Sequence, residues 1–251
     1  MSNSIILGRY YPVKSFVHSM NPTSKIICVL LFALTIFLNN SLLLGFALLM
    51  FSVLVIWLTK VPIKSYLQAL SKMKVFLIFI FLINLCFRVN IYSNILMIIK
   101  IILIINYSTV LTLTTPPTEI TFGLERFLSP LNKLKIPVNK LSLSISLALR
   151  FIPTIFDQTT KIMKSQASRG VDYYNSSFKG KVEAVKTMLL PMINLSIKRA
   201  DMLAEAMEVR LFSFDKERSN YRLNKWRLSD SLVVILHIVF LIIIVVKEVL
   251  L

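Results

Sequence analysis

The sequence predicts an all-α integral membrane protein with about five transmembrane helices and a cytoplasmic domain of long, crossed, amphipathic helices. Hydrophobic residues make up 56% of the 251-residue chain, a larger share than soluble domains have. They are gathered into five apolar runs, and a basic segment with helical apolar spacing lies between the fourth and fifth runs. The predicted division is therefore 1–115 with four membrane helices, 116–228 as the cytoplasmic domain and 229–251 as the last membrane helix.

The five apolar runs are the candidate membrane spans, and flanking residues complete the runs that are shorter than the roughly 20 residues a span needs. The first two runs are separated only by the polar tip 39–41, which predicts a helical hairpin. Pro116-Pro117 closes the fourth run. The runs are Ile26–Leu38, Leu42–Leu58, Val75–Phe87, Ile91–Leu113 and Leu232–Val246.

The distribution of Lys and Arg predicts the orientation of the chain in the membrane. The connection 39–41 has neither residue, whereas four lysines lie in the predicted loop 59–74 and 19 Lys and Arg lie in 116–228. Cytoplasmic loops carry such an excess, so the N-terminal segment, the loop 59–74 and residues 116–228 are expected in the cytoplasm. The same bias and attraction to anionic lipid explain most of the formal net charge of +17. No nucleic-acid-binding module is recognised, so nucleic acid is not expected as a partner.

Four polar or reactive residues inside the apolar runs are candidate functional groups. Cys28 and Cys86 are interpreted as buried thiols that act as small hydrophobes rather than as a disulfide or metal site. Lys100 is compatible with an ion pathway, but a snorkelling or paired side chain is the preferred interpretation. His237 has no metal-ligating neighbour in the sequence, which favours a packed or paired histidine.

Residues 116–228 show helical spacing throughout. The pattern predicts a short amphipathic helix over Thr118–Leu134 and two long helices over Val138–Arg169 and Lys181–Leu211. Pro153 and Pro191 are expected to bend the long helices. Small residues repeated every four positions predict a close crossing of one long helix over the other.

Each long helix ends at an arginine, Arg169 or Arg210, and Gly170 is a natural left-handed cap for the first. One interpretation is purely structural, because a cation stabilises the negative end of a helix dipole by about 0.3–1 kcal/mol. The other is docking, because arginine presents a rigid, permanently charged fork that suits carboxylates at an interface.

Several ordered motifs resemble those of a known family. The first motif is Gly8-Arg9-Tyr10 together with 18–25 (HSMNPTSK), and the second is 112–115 (TLTT) together with 123–131 (GLERFLSPL). The later motifs are 149–154 (LRFIPT), 166–170 (QASRG) and 205–210 (EAMEVR). Over nearly its whole length the chain resembles the transmembrane T component (EcfT/CbiQ-like family) of energy-coupling factor (ECF) transporters. The family's two short motifs usually read Ala-Arg-small residue, and here the alanine is replaced in both and Leu211 replaces the small residue.

The resemblance implies a scaffold and coupling subunit of an ABC-type importer for a vitamin or metal ion. Two cytoplasmic ATPase subunits would receive the arginine-bearing ends, and a membrane-embedded, substrate-binding S component would rest on the long helices. The implied ATPase-docking residues are Ser168, Arg169, Gly170, Val209, Arg210 and Leu211. The implied S-component contacts are Ile145, Ala148, Ile152, Pro153, Met192, Ser196 and Ala200.

The residues themselves favour a non-enzymatic subunit without cofactor or metal. The sequence has no Gly-rich phosphate loop followed by Lys-Ser/Thr, and no nucleophile–base set emerges. The alternatives are an autonomous polytopic channel or secondary transporter, which needs polar groups near mid-membrane, and a membrane enzyme at the cytoplasmic face.

Overall fold

The computed structural model describes residues 10–130, 137–171, 178–213 and 225–250. Their regular structure is helical, and these ranges contain no strand, which confirms the all-α class. The helices are α1 (Phe16–Ser19), α2 (Pro22–Leu38), α3 (Leu42–Thr59), α4 (Ile63–Cys86), α5 (Ile91–Thr114), α6 (Pro117–Leu128), α7 (Val138–Ser168), α8 (Phe178–Val209) and α9 (Leu228–Leu250).

Four of these helices are long and apolar enough to cross a membrane, namely α3, α4, α5 and α9. Helix α2 is apolar but has only 17 residues, at the lower limit for a span. It begins where the sequence places a start signal, because the Asn21 side chain accepts from the Thr23 N–H at 2.9 Å and Pro22 opens the helix. The five predicted spans thus correspond to α2, α3, α4, α5 and α9.

The start of α4 differs from the prediction. Residues 59–74 were expected as a loop, but α3 ends at Thr59, its C-cap Lys60 is left-handed (φ 56°), and α4 already begins at Ile63. The lysines of its first three turns made the segment resemble a loop, although lysine is a good helix former. Three of the four lysines that were used to orient the chain therefore lie on a helix.

The centre of the bundle is an aromatic and aliphatic cluster around Phe32. The Phe32 ring stacks on Tyr107 with ring centroids 4.1 Å apart. The Tyr107 hydroxyl is hydrogen-bonded to Nε2 of His237, whose Nδ1 lies 2.7 Å from the Val233 carbonyl oxygen. His237 is only 1% exposed, so the prediction of a packed and paired histidine is confirmed.

Two other predictions about single residues have different outcomes. The Lys100 ammonium donates to the Phe37 carbonyl oxygen at 3.2 Å, which confirms the paired interpretation. Cys28 is buried, but Cys86 is exposed at the end of α4. The prediction of a buried thiol is therefore wrong for Cys86, because this residue faces outward on a helix whose spanning window has no buried residue.

A buried polar cluster joins three distant parts of the chain. The Asp230 carboxylate is fully buried and accepts from the Asn21 N–H, the Ser24 hydroxyl and the Arg227 N–H at 3.0, 3.2 and 2.8 Å. Lys25 is 5% exposed, and its ammonium donates to the oxygens of Thr114, Thr115 and His18 at 3.1–3.4 Å. The cluster fixes the starts of α2 and α9 against the end of α5.

The chain divides into two compact units. Among the described residues, 10–142 and 225–250 form the membrane unit, and 143–213 form the long-helix unit. In the membrane unit α6 packs on α2 at Gly123, where an added Cβ would lie 2.8 Å from Ile26 Cδ1. The Ser142 hydroxyl donates to Glu125 of α6 at 2.6 Å. The assignment of 116–228 to the cytoplasm stays a prediction.

Candidate docking sites at two helix ends

Helix α7 ends in a Schellman motif, the six-residue turn that closes many helices. The Val171 N–H donates to the Gln166 carbonyl at 3.1 Å, and the Gly170 N–H donates to the Ala167 carbonyl at 3.0 Å. This geometry requires a left-handed residue after the C-cap, and Gly170 supplies it with φ 90°. Arg169 is the C-cap residue, so the predicted helix end is correct to one position.

Helix α8 ends in the same way, although its sequence lacks the glycine. The Phe212 N–H donates to the Met207 carbonyl at 2.9 Å, and the Leu211 N–H donates to the Glu208 carbonyl at 2.8 Å. Leu211 takes the left-handed position with φ 54°, which is costly for a residue with a side chain. Arg210 therefore occupies the same C-cap position as Arg169.

The shared turn does not by itself distinguish these two ends. Helix α4 also closes on a left-handed residue, Arg88, with the corresponding two hydrogen bonds. Its C-cap, however, is Phe87. The distinguishing feature of α7 and α8 is an arginine at the C-cap, where the chain leaves the helix and the last carbonyls carry partial negative charge.

Both arginine side chains are exposed. Among the residues that the structure describes, neither guanidinium has a hydrogen-bond or ion-pair partner. Each guanidinium is therefore free to donate two parallel hydrogen bonds to a carboxylate. The arrangement can bind an acidic or carbonyl-rich groove on another protein.

The residues beside the two arginines give the two ends different chemistry. Ser168 and Gly170 flank Arg169 with a hydroxyl and a bare backbone. Val209 and Leu211 flank Arg210 and are 84% and 87% exposed. Exposed aliphatic side chains beside a cation are suited to a groove with apolar walls.

The two long helices meet through side chains near their middles. The Thr159 hydroxyl lies 3.1 Å from Met192 Sδ. The Gln158 amide, in the orientation that satisfies both groups, accepts from the Arg199 guanidinium. Ala148 and Ala200 are exposed, so the expected close crossing through small residues is wrong at these positions, and the contacts are made by the side chains of two residue pairs, Thr159–Met192 and Gln158–Arg199.

The predicted S-component residues differ in their exposure, and their contact with that component stays a prediction. Ile145, Ala148, Pro153 and Ala200 are exposed, whereas Ile152, Met192 and Ser196 are half-buried. Ser196 and Ala200 line a groove of about 620 Å³ between α7 and α8, but the α7 residues of that groove are others, including Leu147, Phe151 and Ile155.

Sequence reasoning missed Phe212. Its N–H closes α8, and its side chain lines the same groove as Met207. A hydrophobic pair at these two positions commonly accompanies a Schellman motif, so the pattern Met207 to Phe212 was the available signal. For metal binding, no group of three or more His, Cys, Asp or Glu was found among the described side chains.

Comparison with known proteins agrees with the resemblance. The profile of the family described as cobalt transport protein, CbiQ, matches residues 13–221. The energy-coupling factor transporter transmembrane protein EcfT of Bacillus subtilis (strain 168) is 36% identical over 251 residues, which cover 94% of this chain and 95% of that protein.

Two further relatives carry the same name. EcfT of Streptococcus equi subsp. equi (strain 4047) is 34% identical and covers 94% of both chains. EcfT of Lactococcus lactis subsp. cremoris (strain MG1363) is 34% identical and covers 96% of this chain and 97% of that one. The chain therefore belongs to the EcfT/CbiQ family, the transmembrane T components of energy-coupling factor transporters.

Proposed function

We propose that this transmembrane component couples two cytoplasmic ATPase subunits to a membrane-embedded S component, and so drives uptake of a vitamin or metal ion. The chain itself would be non-catalytic and would bind no cofactor. In this proposal the long-helix unit lies in the cytoplasm, and each ATPase receives one arginine-bearing helix end.

The observation that carries the proposal is the repeated position of Arg169 and Arg210. Both stand at the C-cap of a Schellman turn, both are exposed, and they end two different helices of one unit. A fixed turn holds the start of each arginine side chain, so less conformational entropy is lost when the guanidinium docks. The number of such helix ends equals the number of proposed ATPase subunits, so each subunit would bind one end.

Charge reversal tests the docking. Arg169→Glu and Arg210→Glu are expected to weaken binding of the ATPase subunits by at least 30-fold each, since losing one partner of a desolvated charge pair costs about 2–5 kcal/mol. The measurement is the amount of ATPase that co-purifies with the tagged chain, normalised to chain in the membrane fraction. Lys164→Glu and Lys198→Glu, on exposed positions of the same helices, are matched controls.

Retained ATPase binding in the double variant Arg169→Glu/Arg210→Glu would reject the docking role. If the controls Lys164→Glu and Lys198→Glu also lost binding, general surface charge rather than the two helix ends would be responsible for binding the ATPase subunits.

The proposed S-component contact has its own test. Ala200 is exposed on α8 beside the groove, and Asn194 is exposed about a third of a turn around the same helix. Ala200→Arg is expected to reduce co-purification of the S component while the ATPases stay bound, and Asn194→Arg is expected to leave both partners bound. Equal effects of the two variants would argue against this face.

A channel or secondary transporter gains no support from the fold. Its main candidate, Lys100, donates to a backbone carbonyl at the end of α2, as an anchored structural lysine does.

A further inference from the structure

We propose that the membrane unit binds the headgroup of an anionic, hydroxylated phospholipid of the phosphatidylglycerol class in a polar groove between α4 and α5. The groove has a volume of about 400 Å³ and is lined by Tyr11, Ser65, Gln68, Thr109, Thr112 and Leu113. This volume is within the range of small-ligand sites. The proposal is independent of how the ATPases dock.

Helices α4 and α5 are linked by side-chain hydrogen bonds at one end, and the groove lies at the other. Near the connection between them, the Asn84 amide donates to Asn94 at 3.2 Å, and the Asn94 amide donates to the Phe81 carbonyl at 3.3 Å. The groove lies at the opposite ends of the two helices, where Ser65 and Gln68 face Thr109 and Thr112.

The lining is unusual for two helices that can span a membrane. Five of its six residues carry a hydroxyl or an amide, and such groups are costly against lipid tails unless they are satisfied. The Thr109 and Thr112 hydroxyls donate to the carbonyls of Ile105 and Ser108 at 2.6 and 2.9 Å. Their oxygens remain available as acceptors.

The other lining residues supply donors. In the part of the chain that the structure describes, no hydrogen bond is made by the side chains of Ser65, Gln68 or Tyr11. The groove therefore combines hydroxyl and amide donors with threonine acceptors. A ligand that fits must offer acceptors and hydroxyl donors together.

Two lysines on the α4 face that carries Gln68 lie beside the lining residues and are expected to make the groove favour anions. Lys64 and Lys72 lie four residues before and after Gln68, so all three occupy one face of α4. Both lysines are exposed. The negatively charged phosphodiester would lie between the two lysine cations, and the headgroup glycerol would donate hydroxyl hydrogen bonds to the threonine oxygens. A choline headgroup has neither the net charge nor the hydroxyls.

The location favours a lipid over a soluble phosphate ester. Residues in the spanning window of α4 are all at least partly exposed, and apolar side chains such as Val75, Phe76 and Phe79 continue along the helix beyond the lysines. A phospholipid would place its headgroup at the groove and its acyl chains along this apolar surface.

The test is native mass spectrometry of the full chain with defined lipids. Wild type is expected to retain phosphatidylglycerol in preference to phosphatidylcholine. Lys64→Gln/Lys72→Gln is expected to bind phosphatidylglycerol about 30-fold more weakly, because each basic residue near anionic lipid contributes roughly 1 kcal/mol. Lys74→Gln is the matched control, since this exposed lysine lies on another side of α4.

A second variant examines the glycerol contact. Thr109→Val keeps the shape of the side chain but removes its oxygen, so it should weaken binding of phosphatidylglycerol and leave phosphatidic acid unaffected. Equal binding by wild type and Lys64→Gln/Lys72→Gln, or equal retention of phosphatidylcholine, would overturn the proposal. Equally tight binding of soluble glycerol phosphate would overturn the assignment to a lipid.

Discussion

The backbone N–H of Asn21 donates to the carboxylate of Asp230 at 3.0 Å, although 209 residues separate the two in sequence. Asn21 is the N-cap of α2, and the same carboxylate accepts from the Arg227 N–H at the start of α9. One buried carboxylate thus accepts hydrogen bonds from backbone N–H groups at the beginnings of two helices, where such groups have no partner within the helix.

Replacing Asp230 is therefore expected to destabilise the membrane unit. Asp230→Ala leaves the donors on Asn21, Ser24 and Arg227 without their partner, and an unsatisfied buried donor costs about 1–3 kcal/mol. The expected result is a clear fall in the thermal unfolding midpoint in detergent. Asp201→Ala, which removes an exposed carboxylate on α8, should leave the midpoint unchanged, and a similar fall in both variants would contradict the assignment.

The packing of α6 on α2 is expected to depend on Gly123. A Cβ there would lie 2.8 Å from Ile26 Cδ1 and 3.0 Å from the Pro22 carbonyl carbon. Gly123→Ala should destabilise the protein by about 1–3 kcal/mol, because the Pro22 backbone cannot easily move. The measurement is the unfolding midpoint together with protease accessibility of α6.

Gly45 provides the matched comparison. It is also helical, but the nearest atom to its added Cβ would be 3.5 Å away. Gly45→Ala should be neutral or stabilising, because alanine is favoured over glycine in a helix by about 1 kcal/mol. Equal losses in the two variants would mean that close contact with Pro22 is not the cause.

Substitution of the left-handed residue should have opposite effects on the stability of the closing turn at the two arginine-bearing ends. Gly170→Leu places a side chain at φ 90°, at a cost of about 1–2 kcal/mol. Leu211→Gly removes a strain of the same kind at φ 54°. Hydrogen exchange of the closing amides should be several-fold faster at Val171 in the first variant and several-fold slower at Phe212 in the second.

Leu211→Ala is the control for this pair, because alanine keeps the cost of the left-handed conformation and removes only the exposed side chain. Slower exchange at Phe212 in Leu211→Ala, equal to that in Leu211→Gly, would show that the side chain and not the backbone conformation limits the turn.

His18 should make the N-terminal segment sensitive to acid. Its Nε2 lies 3.0 Å from the Tyr11 carbonyl oxygen and its Nδ1 lies 2.7 Å from the Ser15 hydroxyl. Burial lowers the pKa of His18 below its ordinary value of 6.5, the nearby Lys25 charge lowers this pKa further, and the bond to Tyr11 opposes both effects. The unfolded chain therefore binds the proton more readily than the folded chain.

The sign of the pH effect follows from that difference. Above about pH 6.5, His18 does not lower the free energy of unfolding. As the pH falls below 6.5 toward the pKa of His18 in the folded chain, the unfolded chain takes up the proton first, and the free energy of unfolding decreases. His18→Gln should lose less stability than wild type between pH 7.5 and pH 5.5, as measured by the unfolding midpoint. Identical pH profiles of wild type and variant would contradict this prediction.

The end of α7 could be predicted because a single residue, Gly170, decides it. Gly170 marked the end of α7 to within one residue, and apolar periodicity placed most of α8. The docking role of Arg169 and Arg210 stays a prediction, since it depends on surfaces of other proteins.

Other features could not be predicted from local sequence. The lysines at the start of α4 concealed three helical turns, because their polarity interrupts the apolar run. The double role of Asp230 depends on a contact between residues far apart in the chain, which no spacing rule reveals. The contact between α7 and α8 includes the pair Gln158 and Arg199, which a repeat of small residues does not indicate.

The unequal environments of the two cysteines make the unaltered chain suitable for spectroscopy. Cys28 is a buried residue of α2, whereas Cys86 is exposed at the end of α4 that lies far from Lys64. A maleimide fluorophore or nitroxide should therefore attach at one position without any engineered cysteine. Such a label would follow the motion of α4 in a working transporter while every residue of the sequence remains native.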